Sequence, residues 1–378
     1  MDTHSRKKVG IVGWGARGGQ NYGTSLQAFA LFYRIEKEGY DVSYISSPLN
    51  CKRIWNSFRY RFRKFLGGQP KECGHKGMDP SKLNKIGSFM RSNIPVSPST
   101  LMPFSFRRYI NQYSCIVTGS DQIWNPHHLS RFCLLEDFPD SVKRISYSSS
   151  VGVDSLPDNV VPLYKRALSR FSHLSLREFS GVEMVSSLLK RNDVQKVLDP
   201  VFLLSNEDWD EVVRRDSSSS DFKKHPYIFC YFVGDNDWYW KEVLRIKQQM
   251  NYKGEIRIAP LESTHYRKEH ILCETAGVGD FVRLIRDADL ILTDSFHATV
   301  LSIIYRKQFV EFLRFEKTDS ASQNSRLTEL LDRYALNRQW YDKDGDDYLQ
   351  SIDYKKVYSI LNKDIKDSEA FLFNSIEN

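Results

Sequence analysis

The sequence predicts an α/β protein built from two Rossmann-like domains that face a cleft. Apolar runs typical of buried strands alternate with amphipathic helical patterns along the chain, which favours stacked βαβ units and parallel sheets. At 378 residues, the chain exceeds what one hydrophobic core usually spans. The polar tract of residues 216–221 (Asp-Ser-Ser-Ser-Ser-Asp) separates two such series of elements and predicts a linker.

These patterns predict four regions: an N-terminal domain over residues 1–205, a linker over 206–226, a C-terminal domain over 227–340, and C-terminal helices over 341–378 that pack back on the N-terminal domain. In the first half, strands are expected at residues 9–14, 41–46, 115–119, 143–149, 173–177 and 194–198, and helices at 24–38 and at 206–215, capped by Asn206. In the second half, strands are expected at 227–233, 255–259, 290–293 and 308–313, and helices at 237–250, 280–287, 296–305, 324–335 and 354–374.

Composition is that of a soluble globular protein, with 41% hydrophobic and 27% charged residues. The chain has no run of about 18 apolar residues, and its N-terminus does not resemble a signal peptide, so we expect a cytoplasmic protein. The six cysteines have no CxxC spacing, which favours reduced structural thiols over disulfides or a zinc site. We therefore predict no metal site.

A basic aromatic insertion over residues 51–108 interrupts the N-terminal domain. Between Lys52 and Arg108 there are thirteen lysines and arginines against two acidic residues, whereas the whole chain carries only +7. Within residues 51–66, four aromatic residues recur at spacings of three and four among six basic residues, a pattern typical of a helix on an anionic membrane surface. The alternative is an ordinary helix whose aromatic stripe packs in the core. Nucleic-acid binding is a less favoured third interpretation, because no nucleic-acid recognition motif accompanies the basic residues.

The apolar run that begins at Cys115 ends in Gly-Ser-Asp-Gln-Ile-Trp-Asn-Pro. Polar residues after a buried parallel strand lie at the sheet edge where α/β proteins bind ligands. Asp121, Gln122 and Asn125 beside Trp124 would suit a sugar, which wants an aromatic platform and hydrogen-bonding side chains. We predict that these four residues lie at the acceptor site or elsewhere in the cleft, with Asp121 and Gln122 near the acceptor or the hinge.

His297 lies in the first turn of a predicted helix that follows a buried strand. A helix N-terminus offers amides to an anion, and an imidazole beside a phosphate suits proton transfer. The alternative is a hydrogen-bonded structural histidine. Arg177 and Arg314 also follow apolar runs, where guanidinium groups can bind phosphate or carboxylate or, alternatively, form surface salt bridges. Arg326 is expected to pair locally near a helix start.

The segment from Gly13 to Gly18 fits the dinucleotide fingerprint, but five further residues separate it from the helix, so NAD binding is disfavoured. A flexible loop whose amides approach a ligand is the preferred interpretation, and a simple turn is the alternative. The acidic segment 342–347 has its glycine misplaced for a calcium loop and is interpreted as a turn.

With these motifs in order, the chain resembles the polysaccharide pyruvyl transferase family. The matching segments are Asn21-Tyr-Gly-Thr-Ser-Leu-Gln-Ala-Phe-Ala30, Gly119-Ser-Asp-Gln-Ile-Trp-Asn-Pro126, Ile145-Ser-Tyr-Ser-Ser-Ser150, Leu176-Arg-Glu178, Val197-Leu-Asp-Pro200, Thr293-Asp-Ser-Phe-His-Ala298 and Asn324-Ser-Arg-Leu327. The resemblance implies a fold like that of type B glycosyltransferases and the transfer of pyruvate from phosphoenolpyruvate to a sugar as a cyclic ketal.

The resemblance also implies roles for single residues. His297 matches the family's catalytic histidine, Arg177 its donor-binding arginine, and Arg314 and Ser295 are placed at the donor, while Asn21, Tyr22 and Gly23 join the acceptor or cleft residues. Phosphoenolpyruvate is then the co-substrate, and no cofactor is expected. The basic aromatic segment favours, as acceptor, a hexose of a lipid-linked repeat unit at the inner face of the cytoplasmic membrane, and a nucleotide sugar is the alternative acceptor. A glycosyltransferase that uses nucleotide sugars and a non-catalytic carbohydrate-binding protein are the alternatives.

Overall fold

The computed structural model of the protein describes residues 6–16, 18, 21–48, 79–98, 101–216, 225–234, 236–260, 271–272, 275–314 and 325–378. The basic aromatic segment 51–66, the serine tract 217–220 and Cys51, Cys73 and Cys273 lie outside these residues. Among the cysteines inside them, Cys115, Cys133 and Cys230 are buried free thiols.

The N-terminal domain is built on a parallel sheet. Its strands are β1 (Lys8–Val12), β2 (Asp41–Tyr44), β3 (Cys115–Thr118), β4 (Lys143–Ser146), β5 (Ser175–Leu176) and β6 (Gln195–Lys196). The first four have the order β2-β1-β3-β4, and the β5–β6 pair continues this sheet through a bridge between Ile145 and His173. All residues of β3 are buried, as expected for a central strand of a covered parallel sheet.

The helices of this half are α1 (Tyr22–Lys37), α2 (Pro80–Asn93), α3 (Pro103–Ile110), α4 (Val161–Leu168), α5 (Phe179–Leu189) and α6 (Asn206–Arg215). The sequence patterns missed α2 to α5. The start of α2 nevertheless carries a recognisable signal, because the Asp79 carboxylate accepts a hydrogen bond from the Ser81 amide and Pro80 occupies the first turn.

Helix α6 lies within the predicted linker. Its cap is Ser205 rather than Asn206, because the Ser205 hydroxyl accepts from the Asp208 amide while the Asp208 carboxylate accepts from the Ser205 amide. The expectation that Asn206 is the cap is therefore wrong. An ion pair of 3.1 Å between Asp210 and Arg286 ties α6 to the second domain.

The C-terminal domain contains a second parallel sheet with the strand order β11-β10-β7-β8-β9. Its strands are β7 (Tyr227–Tyr231), β8 (Glu255–Ile258), β9 (Ile271–Leu272), β10 (Leu290–Thr293) and β11 (Phe309–Glu311). The helices of this half are α7 (Asp237–Gln249), α8 (Val278–Asp287), α9 (Phe296–Ile304), α10 (Ser325–Arg333) and α11 (Tyr354–Glu377). The predicted class, α/β with two Rossmann-like domains, is confirmed.

Each sheet has one topological switch point, where successive connections run to opposite sides. In the N-terminal sheet it lies between β1 and β3, and in the C-terminal sheet between β7 and β10. Ligands of open α/β sheets bind outside the carboxyl ends of the strands at such points. The fold therefore directs attention to the loops after these four strands.

The two domains are joined by packed and polar contacts along one seam. The Tyr22 ring at the start of α1 stacks on Phe281 of α8 at 4.1 Å, and its hydroxyl donates to the Ala276 carbonyl at 2.8 Å. Lys82 of α2 donates to the Pro260 carbonyl at 2.6 Å, and burial lowers the pKa of this amine to about 8. The main hydrophobic cluster is correspondingly continuous from one domain to the other.

The C-terminal helix α11 crosses back to the first domain. Arg34 of α1 pairs with Glu369 at 2.7 Å, and Lys143 of β4 donates to the Ile376 carbonyl at 2.8 Å. The Leu198 amide donates to the Ser368 hydroxyl at 3.0 Å. Helix α11 thus packs against the N-terminal domain and stabilises it.

Candidate active site

The two switch points meet at His297. This residue lies in the first turn of α9, directly after β10, and its side chain is about nine-tenths buried. On the opposite side of the seam is Gly23, in the first turn of α1. A Cβ atom on Gly23 would lie 2.3 Å from His297 Nδ1, so only glycine lets the two helices approach this closely.

The imidazole also faces a carboxylate of the N-terminal domain. His297 Nε2 is 3.6 Å from Asp199 Oδ2, which is within ion-pair range but beyond hydrogen-bond distance. Within the described part of the chain, this buried nitrogen has no hydrogen-bond partner. Buried nitrogens are nearly always paired, so an unpaired Nε2 at a domain seam is a candidate for contact with a substrate.

Arg177, at the end of β5, is the centre of a carboxylate cluster. Its Nη1 donates to Asp199 at 2.9 Å, its Nε to Glu178 at 3.0 Å and its Nη2 to Asp121 at 3.3 Å. The side chain is only 4% exposed. Although burial alone would lower the pKa of this guanidinium, the three carboxylates raise it further above its ordinary value. The guanidinium also lies 5.1 Å from the centre of the Phe296 ring across the seam.

The two aspartates of this cluster are held as anions. Burial would raise the pKa of Asp199, but His297, Arg177 and the Val201 amide lower it well below its usual value. For Asp121, burial is likewise outweighed by Arg177, His297 and Arg326, which together lower its pKa. Asp121 adopts a positive φ of 69°, a conformation that an aspartate tolerates better than most residues.

Arg326 joins this cluster from the second domain. Its Nη1 is 3.9 Å from Asp121 Oδ1, and the side chain is 14% exposed. Burial and the nearby Arg177 lower the pKa of Arg326 to about 10. Arg326, expected to pair locally at the start of α10, also faces a carboxylate of the N-terminal switch point. Sequence periodicity carries no signal for such a long-range contact, although Arg326 does fall in a family-like segment.

Arg314, after β11, pairs within its own domain. Its Nη2 donates to the Asp294 carbonyl at 2.7 Å, and its Nε lies 3.3 Å from the Asp294 carboxylate. That carboxylate also accepts from the amides of Val233 and Gly234 after β7. Next along the chain, the buried Ser295 donates its amide to the Thr293 hydroxyl at 3.0 Å. Arg314 and Ser295 thus lie at the C-terminal switch point, on either side of Asp294.

Trp124 does not form a sugar platform. The side chain is fully buried, its Nε1 donates to the Cys133 carbonyl at 3.1 Å, and its ring meets Phe171 edge-on. A buried indole needs a partner for its N–H, and the Cys133 carbonyl supplies it. The predicted role of Trp124 is therefore wrong, and the residue belongs to the core of the N-terminal domain.

Other predicted acceptor residues are engaged in local structure. Asn21 caps α1 by accepting from the Thr24 amide and hydroxyl, and Asn125 caps a short 3₁₀ helix by accepting from the His127 amide. Tyr22 is buried in the domain seam described above. Gln122 accepts from the Asn125 amide group at 3.3 Å, while its own Nε2 is buried without a partner within the described residues. Of the predicted acceptor set, Gly23 and Asp121 contact the His297–Arg177 region directly.

The glycine-rich loop after β1 is shaped by backbone packing. A Cβ on Gly13 would lie 2.4 Å from the Gly119 carbonyl oxygen, and one on Gly15 would lie 2.2 Å from the Thr24 carbonyl oxygen. Gly15 and Gly18 also have φ values of 90° and 96°. These close approaches account for the glycines without any bound dinucleotide.

The structure offers no metal-binding cluster of histidine, cysteine, aspartate or glutamate among the residues it describes. Nor does any helix in the described ranges have the length and apolar content needed to span a bilayer.

The family model of the polysaccharide pyruvyl transferases matches residues 21–313. The chain belongs to this family. The protein is accordingly a transferase, and the matched span contains Asp121, Arg177, Asp199 and His297 and ends one residue before Arg314. None of the curated protein sequences compared with the chain matches it.

Several solved structures are similar to this pyruvyl transferase family member in outline. UDP-GlcNAc 2-epimerase from Neisseria meningitidis is 10% identical with a TM-score of 0.48, and the similarity covers 98% of this chain and 94% of that one. The Methanocaldococcus jannaschii UDP-GlcNAc 2-epimerase is 14% identical with a TM-score of 0.48, covering 94% and 92%. MurG from Acinetobacter baumannii is 12% identical with a TM-score of 0.37, covering 98% of each chain.

Proposed function

We propose that the protein transfers the pyruvyl group of phosphoenolpyruvate to a hexose of a polysaccharide repeat-unit precursor, forming a cyclic ketal and releasing phosphate. One observation carries this proposal: a buried imidazole with an unpaired Nε2 faces a cluster of arginines and carboxylates at the meeting point of the two switch points. This arrangement supplies the proton transfer and anion contacts that the reaction needs.

The reaction requires protons to move in a fixed sequence. A proton is added to C3 of the enol, which makes C2 electrophilic, and a sugar hydroxyl attacks C2. The C2–O bond to phosphate then breaks and a second hydroxyl closes the ring. Of the two hydroxyl protons, one balances the proton added to C3 and the other leaves with phosphate. Because every step is a proton transfer, an addition of a hydroxyl to C2 or the loss of phosphate from C2, the proposal includes no cofactor and no metal.

His297 is the proposed acid and base. One positioned imidazole can donate a proton to C3 and later accept one from a sugar hydroxyl, which typically contributes about 10²–10⁴-fold to the rate. Asp199 is the positioning residue for this ring. Its carboxylate is held by Arg177 at 2.9 Å and lies 3.6 Å from Nε2, close enough to orient the ring.

Donor binding is proposed to involve competition with Asp121. Phosphoenolpyruvate brings a phosphate and a carboxylate, and arginines are the side chains best suited to both. Arg177 already contacts three carboxylates, and its contact with Asp121 is the longest of them at 3.3 Å. The donor anion would therefore take the place of Asp121 between Arg177 and Arg326, with Arg314 and Ser295 completing the donor side from the second domain.

The acceptor is proposed to be lipid-linked, for exopolysaccharide or capsular polysaccharide synthesis. The support is the charge of the chain, because thirteen basic residues against two acidic ones between Lys52 and Arg108 favour an anionic membrane surface. A cytoplasmic protein bound peripherally to the inner face of the membrane fits this charge. Replacement of Arg59, Arg61 and Arg63 by Glu should lower activity on a lipid-linked acceptor in anionic vesicles while sparing a soluble acceptor. Equal activity on both would argue against the membrane role.

The function is tested by giving the purified protein either labelled phosphoenolpyruvate or labelled nucleotide sugars with a panel of sugar acceptors. We expect label in the acceptor, and release of phosphate, only with phosphoenolpyruvate. Label transferred from a nucleotide sugar would identify a glycosyltransferase instead. If neither donor is used and phosphoenolpyruvate gives no thermal stabilisation, the protein is a non-catalytic carbohydrate-binding member of the family.

A further inference from the structure

A large opening on the N-terminal domain lies beside the N-terminal switch point. It is a cavity of about 880 Å³ at the carboxyl ends of β1 and β2, closed on one side by the loop after β3. Its volume falls within the range of about 300–1,000 Å³ typical of small-molecule sites. The Trp124 platform expected from the sequence is buried, so the acceptor sugar needs a different wall.

The lining of this cavity has the composition that a sugar requires. Trp14 and Phe132 line it and are partly buried against the domain core, so each presents part of a fixed aromatic surface. Ser46 and Ser47 line the side formed by the end of β2, and Arg107 lines another part of the wall. Aromatic faces pack against the C–H surfaces of a sugar ring, while hydroxyl and guanidinium groups hydrogen-bond its hydroxyls.

The cavity is close to the proposed chemistry. Gly13 lines it, and a Cβ there would lie 2.4 Å from the Gly119 carbonyl oxygen. Gly119 is two residues from Asp121, and two residues of extended chain span at most about 7 Å. Asp121 contacts Arg177 at 3.3 Å. The same glycine-rich loop leads from the cavity wall to Gly23, which packs on His297.

We propose that this cavity binds the acceptor hexose, with Trp14 as the aromatic platform. The choice of a hexose as the ligand rests on the proposed pyruvyl transfer. In this assignment, the glycine-rich loop forms a wall that separates the acceptor cavity from the catalytic residues. A free hexoside is expected to bind weakly, with the rest of the repeat unit extending out of the open side of the cavity.

Binding is tested without turnover by saturation-transfer NMR on the full-length protein with a panel of methyl hexosides and methyl N-acetylhexosaminides. We expect signals from at least one glycoside with the wild type, loss of these signals in Trp14→Ala, and partial recovery in Trp14→Phe, which keeps an aromatic face. Trp238→Ala is the matched control, because Trp238 is 42% exposed in the C-terminal domain, and it should leave the signals unchanged. Signals that survive in a folded Trp14→Ala, or no signal from any glycoside, would overturn the assignment.

Turnover separates this inference from the proposed function. With the best acceptor of the panel and labelled phosphoenolpyruvate, Trp14→Ala should raise the KM for the acceptor at least about tenfold, equal to about 1.4 kcal/mol, and leave the KM for phosphoenolpyruvate within twofold. Transfer with an unchanged acceptor KM would reject the cavity and keep pyruvyl transfer. Glycoside binding that depends on Trp14 in a protein that transfers no pyruvate would keep the cavity and reject the proposed function.

Discussion

The two switch points use polar residues in different ways. After β3, in the N-terminal domain, Trp124 and Asn125 use their polar groups in local hydrogen bonds. The indole of Trp124 donates to the Cys133 carbonyl, and the side-chain oxygen of Asn125 caps a 3₁₀ helix. After β10, in the C-terminal domain, His297 is also buried, yet its Nε2 has no partner within the described residues. The comparison teaches that a polar residue at a strand end does not by itself mark a ligand site, because the fold can satisfy its polar groups internally.

Removing the unsatisfied imidazole should have the largest effect. We expect His297→Ala to fold normally and to lose at least about a hundredfold in kcat, because the acid and base of the proposed reaction is gone. Steady-state kinetics with phosphoenolpyruvate, alongside thermal unfolding, checks both statements. His128→Ala is the control, since His128 is an exposed histidine after β3, and it should turn over like the wild type. A fully active His297→Ala would remove this residue from the mechanism.

A substitution that displaces the imidazole of His297 without removing it should lower kcat by nearly as much. The methyl group of Gly23→Ala would meet His297 Nδ1 at 2.3 Å, so either the ring or α1 must shift. A misplacement of about 1 Å at a reacting group typically costs about a hundredfold, and we expect a kcat loss of that size. Gly345→Ala serves as the comparison and should be neutral, because a Cβ there would meet only the exposed Asp342 side chain, at 3.0 Å. Unchanged kinetics in Gly23→Ala would mean that the ring position is not critical.

The Asp199 carboxylate links the N-terminal domain to His297, and its removal should affect both stability and pH dependence. Asp199→Asn leaves Arg177 with one fewer partner in a buried site, where breaking an ion pair costs about 3–5 kcal/mol. The depressed pKa of Asp199 means that its contribution is present above the unfolded-state value of about 3.9 and is lost as the pH falls through the folded-state value. The stability gap between wild type and variant should therefore shrink below about pH 4.

A purely structural role for Asp199 would change stability alone. We expect the kcat of Asp199→Asn to fall as well, because the imidazole then lacks the carboxylate that faces its Nε2 at 3.6 Å. A kcat equal to that of the wild type would limit Asp199 to holding Arg177.

The smallest effect on kinetics is expected from a substitution of Arg326, on the donor side of the site. Arg326→Gln should raise the KM for phosphoenolpyruvate about tenfold, equal to about 1.4 kcal/mol, with little change in the KM for the acceptor. Arg333→Gln on the same helix is the matched control, because Arg333 pairs with Asp364 away from the cluster. An equal change in both variants, or none in Arg326→Gln, would take Arg326 out of donor binding.

Sequence patterns predicted most of the fold because strands and helices follow local periodicity. Strand β10 was predicted to the residue, and α1, α7 and α9 to within two residues at each end. Helices α2 to α5 were missed, since their apolar faces are short or mixed with basic residues. His297 and Arg177 were selected by their position after a strand, which is a local property. Arg326 and the burial of Trp124 depend on contacts between distant segments, which no local pattern reports.

The central claim is that His297 at the domain seam protonates phosphoenolpyruvate during transfer to a sugar. It is tested most directly by running the reaction in D₂O and measuring the product by mass spectrometry. We expect a ketal whose methyl group carries one deuterium from solvent, formed at least about a hundredfold more slowly by His297→Ala. An unmodified acceptor, or a deuterated ketal formed at the same rate by His297→Ala, would contradict the account.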